Sequence, residues 1–195
     1  NTLRKSEKIQ VKLLEDGYIC WIAWSELTGR AFCRGLWQPN LLSRKEINKR
    51  IPAVLNWVEL ASSQPNKYLW GGTLGPDFDC SGLVQSAFAS QEIWLPRDAY
   101  QQEEFCDPVI AEPANFNLLC PGDLLFFGTA ERCTHVALYQ GEGIYWHSSG
   151  ICQGRNGIGC DGLSFSDQNP IACYYRSMWR GAGRVIRCHD GTTLA

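Results

Sequence analysis

The sequence is poor in histidine, in net charge and in long apolar segments. It has only three histidines in 195 residues, and its ten cysteines include no Cys-x-x-Cys pair, which removes the main support for a zinc knuckle or a thioredoxin-type redox site. No apolar run approaches the roughly 20 residues needed to span a bilayer. The formal net charge of −2 gives no reason to expect nucleic acid or an anionic membrane as a partner. What remains is the composition of an ordinary globular protein.

The cysteines favour a reducing compartment. If one of the ten acts as a nucleophile, nine remain, and an odd number does not fit a complete set of disulfides. Many lie in apolar contexts, such as Cys20 beside Trp21, where cysteine behaves as a small hydrophobe. There is no signal-peptide pattern at the start, although the chain begins at Asn1 rather than Met. We therefore expect a cytoplasmic rather than an exported protein, with the oligomeric state left open.

The chain divides into a short β-rich part and a longer α+β part. Residues 11–14 and 18–24 are strand-like and are separated by a turn-prone stretch at 15–17, which is too little for an independent core. A linker is marked by Gln-Pro-Asn at residues 38–40. The predicted division is a partial domain at residues 1–38, a linker at 39–46 and a main domain at 47–195.

The main domain begins with helices and continues with strands. Ser43 and Glu46 fit a capping box, and the helix behind it should run to about Ser62. Its apolar residues recur at helical spacing, at Ile47, Ile51, Val54, Leu55 and Val58. A second helix is predicted from Cys80 to about Ala89. Strand-like segments bounded by Gly or Pro follow at residues 123–127, 134–139, 143–147 and 183–187. This order predicts an α+β domain with helices on one side of an antiparallel sheet.

Cys80 is the candidate nucleophile. It lies between Asp79 and Ser81, where an apolar helical pattern begins, so its thiol is expected at a helix N-terminus. The backbone dipole and the unpaired N–H groups there favour a thiolate. The alternative is a buried structural cysteine. Amide hydrolysis by a thiolate also needs a general base, a group that orients the base, and donors for the oxyanion.

Two of the three histidines are candidates for the base and its orienting group. His135 and His147 flank a predicted hairpin whose turn is residues 141–143. A three-residue loop pairs Ala137 with His147 and places both histidines on one face as diagonal neighbours. A two-residue loop would place them on opposite faces. We expect His135 to be the base and His147 to fix its tautomer, whereas His189, in a polar tail, should be solvated.

Five motifs in a fixed order resemble those of a known family. They are Tyr-x-Trp-Gly-Gly at 68–72, Asp-Cys-Ser-Gly-Leu at 79–83, Pro-Gly-Asp-Leu-Leu-Phe-Phe at 121–127, Thr-His-Val-Ala-Leu-Tyr at 134–139 and His-Ser-Ser-Gly at 147–150. Over about residues 45–188 the chain resembles the NlpC-type cell-wall cysteine peptidases. Residues 1–38 resemble the end of the bacterial SH3 domain that precedes this catalytic domain in cyanobacterial γ-D-glutamyl-L-diamino acid endopeptidases.

The resemblance implies a papain-like catalytic domain preceded by a partial small β-barrel of bacterial SH3 type. In that family pattern Cys80 is the nucleophile, His135 the base and His147 the third polar residue. Tyr68 would lie near the oxyanion, where a phenol can donate. The substrate groove would be lined by Trp70, Asp79, Ser81, Arg97 and Asp98.

The substrate implied is a peptidoglycan stem peptide with a free N-terminal L-alanine, cut between D-glutamate and diaminopimelate without a metal or organic cofactor. Arg97 would offer a bidentate fork to a substrate carboxylate, Asp79 would hold the ammonium group, and Tyr18 would close the end of the groove. The alternatives are that Arg97 pairs with a neighbouring acid and that Tyr18 is an ordinary strand aromatic. Ala99 stands where related enzymes often carry serine, so the substrate hydrogen bond implied by the family pattern is not expected at this position.

The same residues are compatible with two other functions. One is an acyltransferase, in which the same Cys-His acyl-enzyme transfers its acyl group to an amine or lipid rather than to water, and the other is a non-catalytic wall-binding module. A zinc-binding protein is disfavoured by the cysteine spacing. The glycine-rich residues 154–159 lack a strand-to-helix context and a Walker lysine, so no phosphate loop is expected.

Overall fold

The fold comes from a computed structural model that describes residues 7–14, 16–32 and 40–192. Residue 15 of the predicted turn and residues 38 and 39 of the predicted linker lie outside the described residues. The helices are α1 (Trp24–Leu27), α2 (Arg44–Ser62), α3 (Cys80–Ala89), α4 (Ala99–Phe105) and α5 (Pro170–Ser177). The strands are β1 (Lys8–Lys12), β2 (Ile19–Ala23), β3 (Asp107–Val109), β4 (Leu124–Gly128), β5 (Cys133–Gly141), β6 (Ile144–Ser149), β7 (Gly157–Gly162) and β8 (Trp179–Arg184).

The main domain is built on a six-stranded antiparallel sheet with the order β3-β8-β4-β5-β6-β7. The strands predicted at residues 123–127, 134–139 and 143–147 correspond to β4, β5 and β6, which are adjacent in the sheet. The fourth was predicted at 183–187, but β8 ends at Arg184 and begins at Trp179. The α+β class with an antiparallel sheet is confirmed.

Helix α2 begins at the predicted capping box. The backbone N–H of Ser43 donates to the Glu46 carboxylate at 2.8 Å, and the Ser43 hydroxyl accepts from the Glu46 backbone N–H. Its buried positions are Ile47, Val54 and Val58, three of the five predicted by helical spacing. Because the helix starts at Arg44, residues 44–46 of the predicted linker are helical.

The sheet is covered on both faces. Phe126 of β4 packs in the core that contains the buried faces of α2, α3 and α4, whereas its neighbour Phe127 packs in a second core with Tyr175 of α5. Side chains alternate along a strand, so the continuous apolar run of β4 contributes buried apolar side chains to the cores on both faces of the sheet. The prediction of helices on one side is therefore correct for α2 to α4 and wrong for α5.

The N-terminal part forms a two-stranded antiparallel sheet, in which β1 pairs with β2. The predicted strand over 18–24 ends at Ala23, and Trp24 begins the short helix α1. This hairpin touches the main domain, since the Gln85 side-chain amide donates to the Asp16 carboxylate at 2.7 Å. Its assignment to a bacterial SH3 type stays a prediction. Within the described ranges, no helix combines the length and apolar composition that membrane crossing requires.

His189 is buried rather than solvated, with 2% of its surface exposed. Its backbone N–H donates to the Trp94 carbonyl at 2.8 Å, and its ring packs against Phe105 with centroids 5.7 Å apart. The polar composition of the tail does not indicate that His189 is buried, because its contacts come from residues far away in the sequence.

Candidate active site

Cys80 is the first residue of α3, and the helix start is fixed by its neighbour. Asp79 is the N-cap, and its Oδ1 accepts the backbone N–H of Gly82 at 2.7 Å. The thiol is buried, and the nearby backbone N–H groups of Ser81 and Val136 act to lower its pKa. Because Val136 follows His135 on β5, the sulfur lies beside the strand that carries the candidate base.

Burial raises the pKa of the Cys80 thiol to about 11, and the negative charge of Asp79 adds to the rise. The two backbone N–H groups and the Arg97 charge lower the pKa, but by less than burial and Asp79 raise it. The helix N-terminus favours the thiolate, as expected from its dipole, but desolvation outweighs this effect. The thiol at rest is protonated at neutral pH, and its activation requires a proton acceptor.

The β5–β6 hairpin closes with a two-residue turn at Glu142-Gly143, not the predicted three-residue loop. Both turn residues have positive φ, 52° and 79°, as a type I′ turn requires. A β-bulge between Tyr139 and Gly141 restores the predicted pairing along the rest of the hairpin. The register pairs are Gly141 with Ile144, Tyr139 with Tyr145 and Leu138 with Trp146. Ala137 therefore lies opposite His147, as predicted.

His135 and His147 are in direct contact. Nε2 of His135 lies 2.8 Å from Nδ1 of His147, and the two rings are nearly perpendicular at 86°. Both are buried, and burial lowers the pKa of each, well below the usual value for His135. Both imidazoles are therefore neutral at pH 7, which makes His135 a base able to accept a proton.

Asp161 of β7 extends this pair, and sequence reasoning missed it. Its Oδ2 lies 2.6 Å from Nε2 of His147 and accepts from Nη2 of Arg155 at 2.7 Å. His147 pairs with Gly159 in the sheet, so Asp161, two residues further along, is diagonal to His147 on the same face. The glycine-rich stretch around it does not have the composition of a strand, so nothing in the sequence marked this aspartate.

Tyr175 of α5 is a second residue that the sequence did not indicate. Its ring stacks on His135 with centroids 4.2 Å apart and planes inclined by 25°. Its hydroxyl shares a hydrogen bond of 2.8 Å with the Ser149 hydroxyl. Because the prediction contained no helix here, the cover over the His135 ring could not be anticipated.

The remaining predicted site residues surround a cavity of about 590 Å³ beside Cys80. Those on its wall are Tyr18, Tyr68, Trp70, Asp79, Ser81, Arg97 and Asp98. His135 lies on an adjacent cavity of about 250 Å³, and Tyr68 and Thr134 belong to the walls of both. The structure thus brings every predicted groove residue together and places the base next to the groove.

Arg97 is engaged by Asp79 and Ser81. Its Nη2 donates to Asp79 Oδ2 at 2.6 Å, and its Nη1 donates to the Ser81 hydroxyl at 2.9 Å. Asp79 also accepts from the Gly71 backbone N–H at 2.8 Å. The alternative, pairing with a neighbouring acid, is the arrangement observed. The fork is directed at Asp79, so its use by a substrate carboxylate stays a prediction.

Tyr68 and Trp70 present aromatic groups to the groove in different ways. Tyr68 is half-buried, and burial together with the nearby Cys80 and Asp79 raises the pKa of its phenol to about 12. The phenol is therefore a hydrogen-bond donor at neutral pH. Trp70 is 84% exposed, which leaves its ring free to contact a ligand.

A buried cysteine at the start of a helix, packed against an antiparallel sheet that carries histidines on adjacent strands, defines a papain-like α+β domain. Residues 65–172 match the NlpC/P60 family, which is more than half of the chain. The chain belongs to this family.

Relatives and solved structures agree with this membership. The chain is 34% identical over 123 residues to the bifunctional muramidase/DL-endopeptidase CwlT of Bacillus subtilis, covering 60% of this chain and 32% of CwlT. It is 40% identical over 84 residues to the γ-D-glutamyl-L-lysine dipeptidyl-peptidase of the same organism, covering 42% of this chain and 27% of that protein. The chain thus spans about a third or less of the length of these relatives. A crystal structure of an NlpC/P60 family protein from Bacillus cereus shares the fold, with a TM-score of 0.56 and 22% identity over 93% of this chain and 52% of the other.

Proposed function

We propose that this protein is a cysteine peptidase that hydrolyses the γ-D-glutamyl-L-diamino acid bond of peptidoglycan stem peptides. The observation that carries the proposal is the His135–His147 contact next to the groove that holds Cys80. The similarity to a protein named γ-D-glutamyl-L-lysine dipeptidyl-peptidase supports the choice of bond.

The proposed reaction begins with transfer of the Cys80 thiol proton to His135. The sulfur attacks the γ-amide carbonyl of D-glutamate, and the oxyanion is held by the Cys80 backbone N–H and the Tyr68 hydroxyl. The tetrahedral intermediate collapses as His135 returns the proton to the leaving amine of the diamino acid. Water then attacks the thioester, again with His135 as base, and releases the γ-D-glutamyl product and the free thiol.

The protonated state of Cys80 at rest fits this order of events. Since burial holds the thiol pKa near 11 and keeps His135 neutral, the two groups exchange a proton only when the sulfur is about to attack. Donation from the Ser81 and Val136 backbone N–H groups stabilises the negative sulfur that this transfer produces.

We infer that the groove recognises the free amino end of the peptide. Asp79 supplies the negative charge for the ammonium group of L-alanine, and Arg97 and the Ser81 hydroxyl both donate hydrogen bonds that hold that carboxylate in place. Tyr18 stands on the wall contributed by the N-terminal part and closes the groove at that end. Asp98, which is the N-cap of α4, and Trp70 complete the lining.

The domain division follows from the same proposal. We propose that residues 1–38 are part of a bacterial SH3-like module whose task is to close the groove, and that residues 47–195 are the peptidase domain. The hairpin supports this by supplying Tyr18 to the cavity wall. We also propose that the protein acts in the cytoplasm, where it recycles murein peptides.

Mass-spectrometric product analysis tests the proposal with three substrates: L-Ala-γ-D-Glu-diaminopimelate, its N-acetylated form and intact peptidoglycan. Cleavage of the free tripeptide alone is expected, because acetylation removes the charge that Asp79 holds. Equal turnover of intact peptidoglycan contradicts a recycling role. Cys80→Ala should abolish turnover, whereas Cys106→Ala, which alters another buried cysteine, should not.

The same assay separates hydrolysis from acyl transfer. With hydroxylamine present, a hydrolase yields mainly the free acid, whereas an acyltransferase yields the hydroxamate as the main product. Retained turnover by Cys80→Ala overturns the mechanism, and absence of any turnover by the unmodified protein favours a wall-binding module.

A further inference from the structure

Asp161 has a bonding pattern that differs from that of another buried carboxylate on the sheet. Its side chain is fully buried, and Oδ2 takes both of its polar contacts, with His147 and Arg155. Among the described residues, Oδ1 has no hydrogen-bond partner. At Asp123, by contrast, both oxygens are bonded by Arg184, at 2.7 and 2.8 Å. Asp161 thus uses a single oxygen to bind both the histidine and the arginine, whereas the carboxylate of Asp123 forms a two-oxygen ion pair with arginine and contacts no histidine.

The chain makes room for the cation that holds Asp161. Arg155 bonds the Cys160 carbonyl at 3.0 Å as well as Asp161. A Cβ on Gly159 would overlap the Arg155 guanidinium, so only glycine permits the cation to lie there. Because Gly159 pairs with His147 in the sheet, this space is opened directly opposite the histidine.

The hydrogen bonds determine where each ring proton lies. A carboxylate held by Arg155 can only accept, so Nε2 of the neutral His147 carries the proton and Nδ1 is an acceptor. Nε2 of His135 must then donate to that acceptor. The remaining nitrogen of His135, Nδ1, is left unprotonated and free to take a proton from a thiol.

We propose that Asp161, held by Arg155, is a positioning residue that sets the tautomer of His147 and, through it, of His135. The inference rests on the proposed cysteine peptidase function, in which Nδ1 of His135 receives the Cys80 proton. Asp161 also places a negative charge two hydrogen bonds away from the base, through His147, and this charge stabilises the imidazolium formed on His135 during the reaction.

Nitrogen NMR of histidine-labelled protein tests the tautomers without any substrate, and only three histidines need assignment. In the unmodified protein, His135 and His147 should both carry the proton on Nε2. Asp161→Ala should give His147 a mixture of tautomers. Asp161→Asn should restore the single tautomer, because the Arg155 N–H donor selects the amide oxygen rather than the NH2 group at the position of Oδ2, where it also faces His147. Unmixed tautomers in folded Asp161→Ala protein overturn the proposal.

Kinetics provide the second readout. Asp161→Ala should lower kcat about 10- to 100-fold with KM little changed, the size of effect seen when carboxylates that orient metal-binding histidines are removed. Gly159→Ala, which displaces Arg155 but keeps Asp161, should lower kcat by less. Asp123→Ala is the matched control, since it breaks a buried ion pair elsewhere on the sheet and should leave tautomers and kcat unchanged. An equal kcat loss in Asp123→Ala reduces Asp161 to a structural role and overturns the proposal.

The role of Asp161 can be tested even if the proposed peptidase function is wrong. If the unmodified protein does not cleave the murein tripeptide, the tautomer measurement and the rate of Cys80 alkylation by iodoacetamide still report on Asp161. Slower alkylation in Asp161→Ala at neutral pH supports the positioning role even then, whereas an unchanged rate with unchanged tautomers contradicts it.

Discussion

Nε2 of His135 lies 2.8 Å from Nδ1 of His147, although the hairpin that joins them has a two-residue turn. Without compensation such a turn would place the two side chains on opposite faces of the sheet. The bulge between Tyr139 and Gly141 shifts the register by one residue and returns both histidines to one face. The contact that the proposed chemistry needs therefore depends on one extra residue in β5.

The protonation of Cys80 leads to a prediction about its reactivity. Because the thiol pKa is about 11 and His135 is the proposed proton acceptor, His135→Ala should be alkylated slowly at pH 7, with a rate that climbs toward pH 11. The unmodified protein has the same protonated thiol at rest but should react at much lower pH, because His135 takes the proton as the sulfur attacks the reagent. Peptide-resolved mass spectrometry after iodoacetamide treatment separates Cys80 from the exposed Cys120 and Cys152. Identical pH profiles for both proteins contradict the assignment of His135.

The buried histidines predict loss of stability in mild acid. Burial holds the folded-state pKa of His135 and His147 below the unfolded value of about 6.5. The contribution of the two histidines to the free energy of unfolding is therefore fully present above pH 6.5. It decreases as the pH falls below that value, because the unfolded chain then binds protons that the folded chain does not bind. The limiting slope is about 1.4 kcal/mol per pH unit for each histidine.

Urea unfolding between pH 7 and pH 5 measures this slope. The variant His147→Asn should show a shallower dependence, since one of the buried imidazoles is gone. A free energy of unfolding that stays constant or rises toward pH 5 is incompatible with neutral buried histidines.

The ion pair between Arg97 and Asp79 is buried on both sides, with side chains 10% and 9% exposed. Arg97→Gln should destabilise the protein by about 3–5 kcal/mol, because it leaves a buried carboxylate without its counter-ion. Arg30→Gln is the control, since its pair with Glu26 is 75% and 62% exposed and should contribute less than about 1 kcal/mol. Equal losses in denaturant midpoint would show that burial of the Arg97 pair has no energetic consequence.

Trp70 should affect substrate binding without affecting stability. Its ring is 84% exposed on the groove wall, so Trp70→Ala should raise KM about 2- to 10-fold, the range of an aromatic contact. The melting temperature should change little, because so exposed a side chain loses little burial on truncation. Trp21→Ala, an exposed tryptophan of β2, is the matched control and should leave KM unchanged. A similar KM in both variants removes Trp70 from the groove function.

Local patterns in the sequence were sufficient for the main elements of the domain. The capping box at Ser43 and the helix from Cys80 to Ala89 depend on neighbours within a few residues, and both are found in the structure. Helices α4 and α5 and strand β7 were not predicted. The glycines of β7 weaken the alternation of side chains that marks a strand in sequence. The strand forms because its backbone pairs with β6.

Cys80, His135 and His147 could be named as candidate nucleophile, base and orienting residue from the chain alone, since they stand in motifs that local rules and a family resemblance both identify. The pKa of Cys80, the Arg97–Asp79 pairing and the contact of His147 with Asp161 became visible only in the folded protein. Desolvation and buried hydrogen bonds depend on which distant segments meet. Those segments are brought together by strand register and by a bulge, which residue spacing along the chain does not specify.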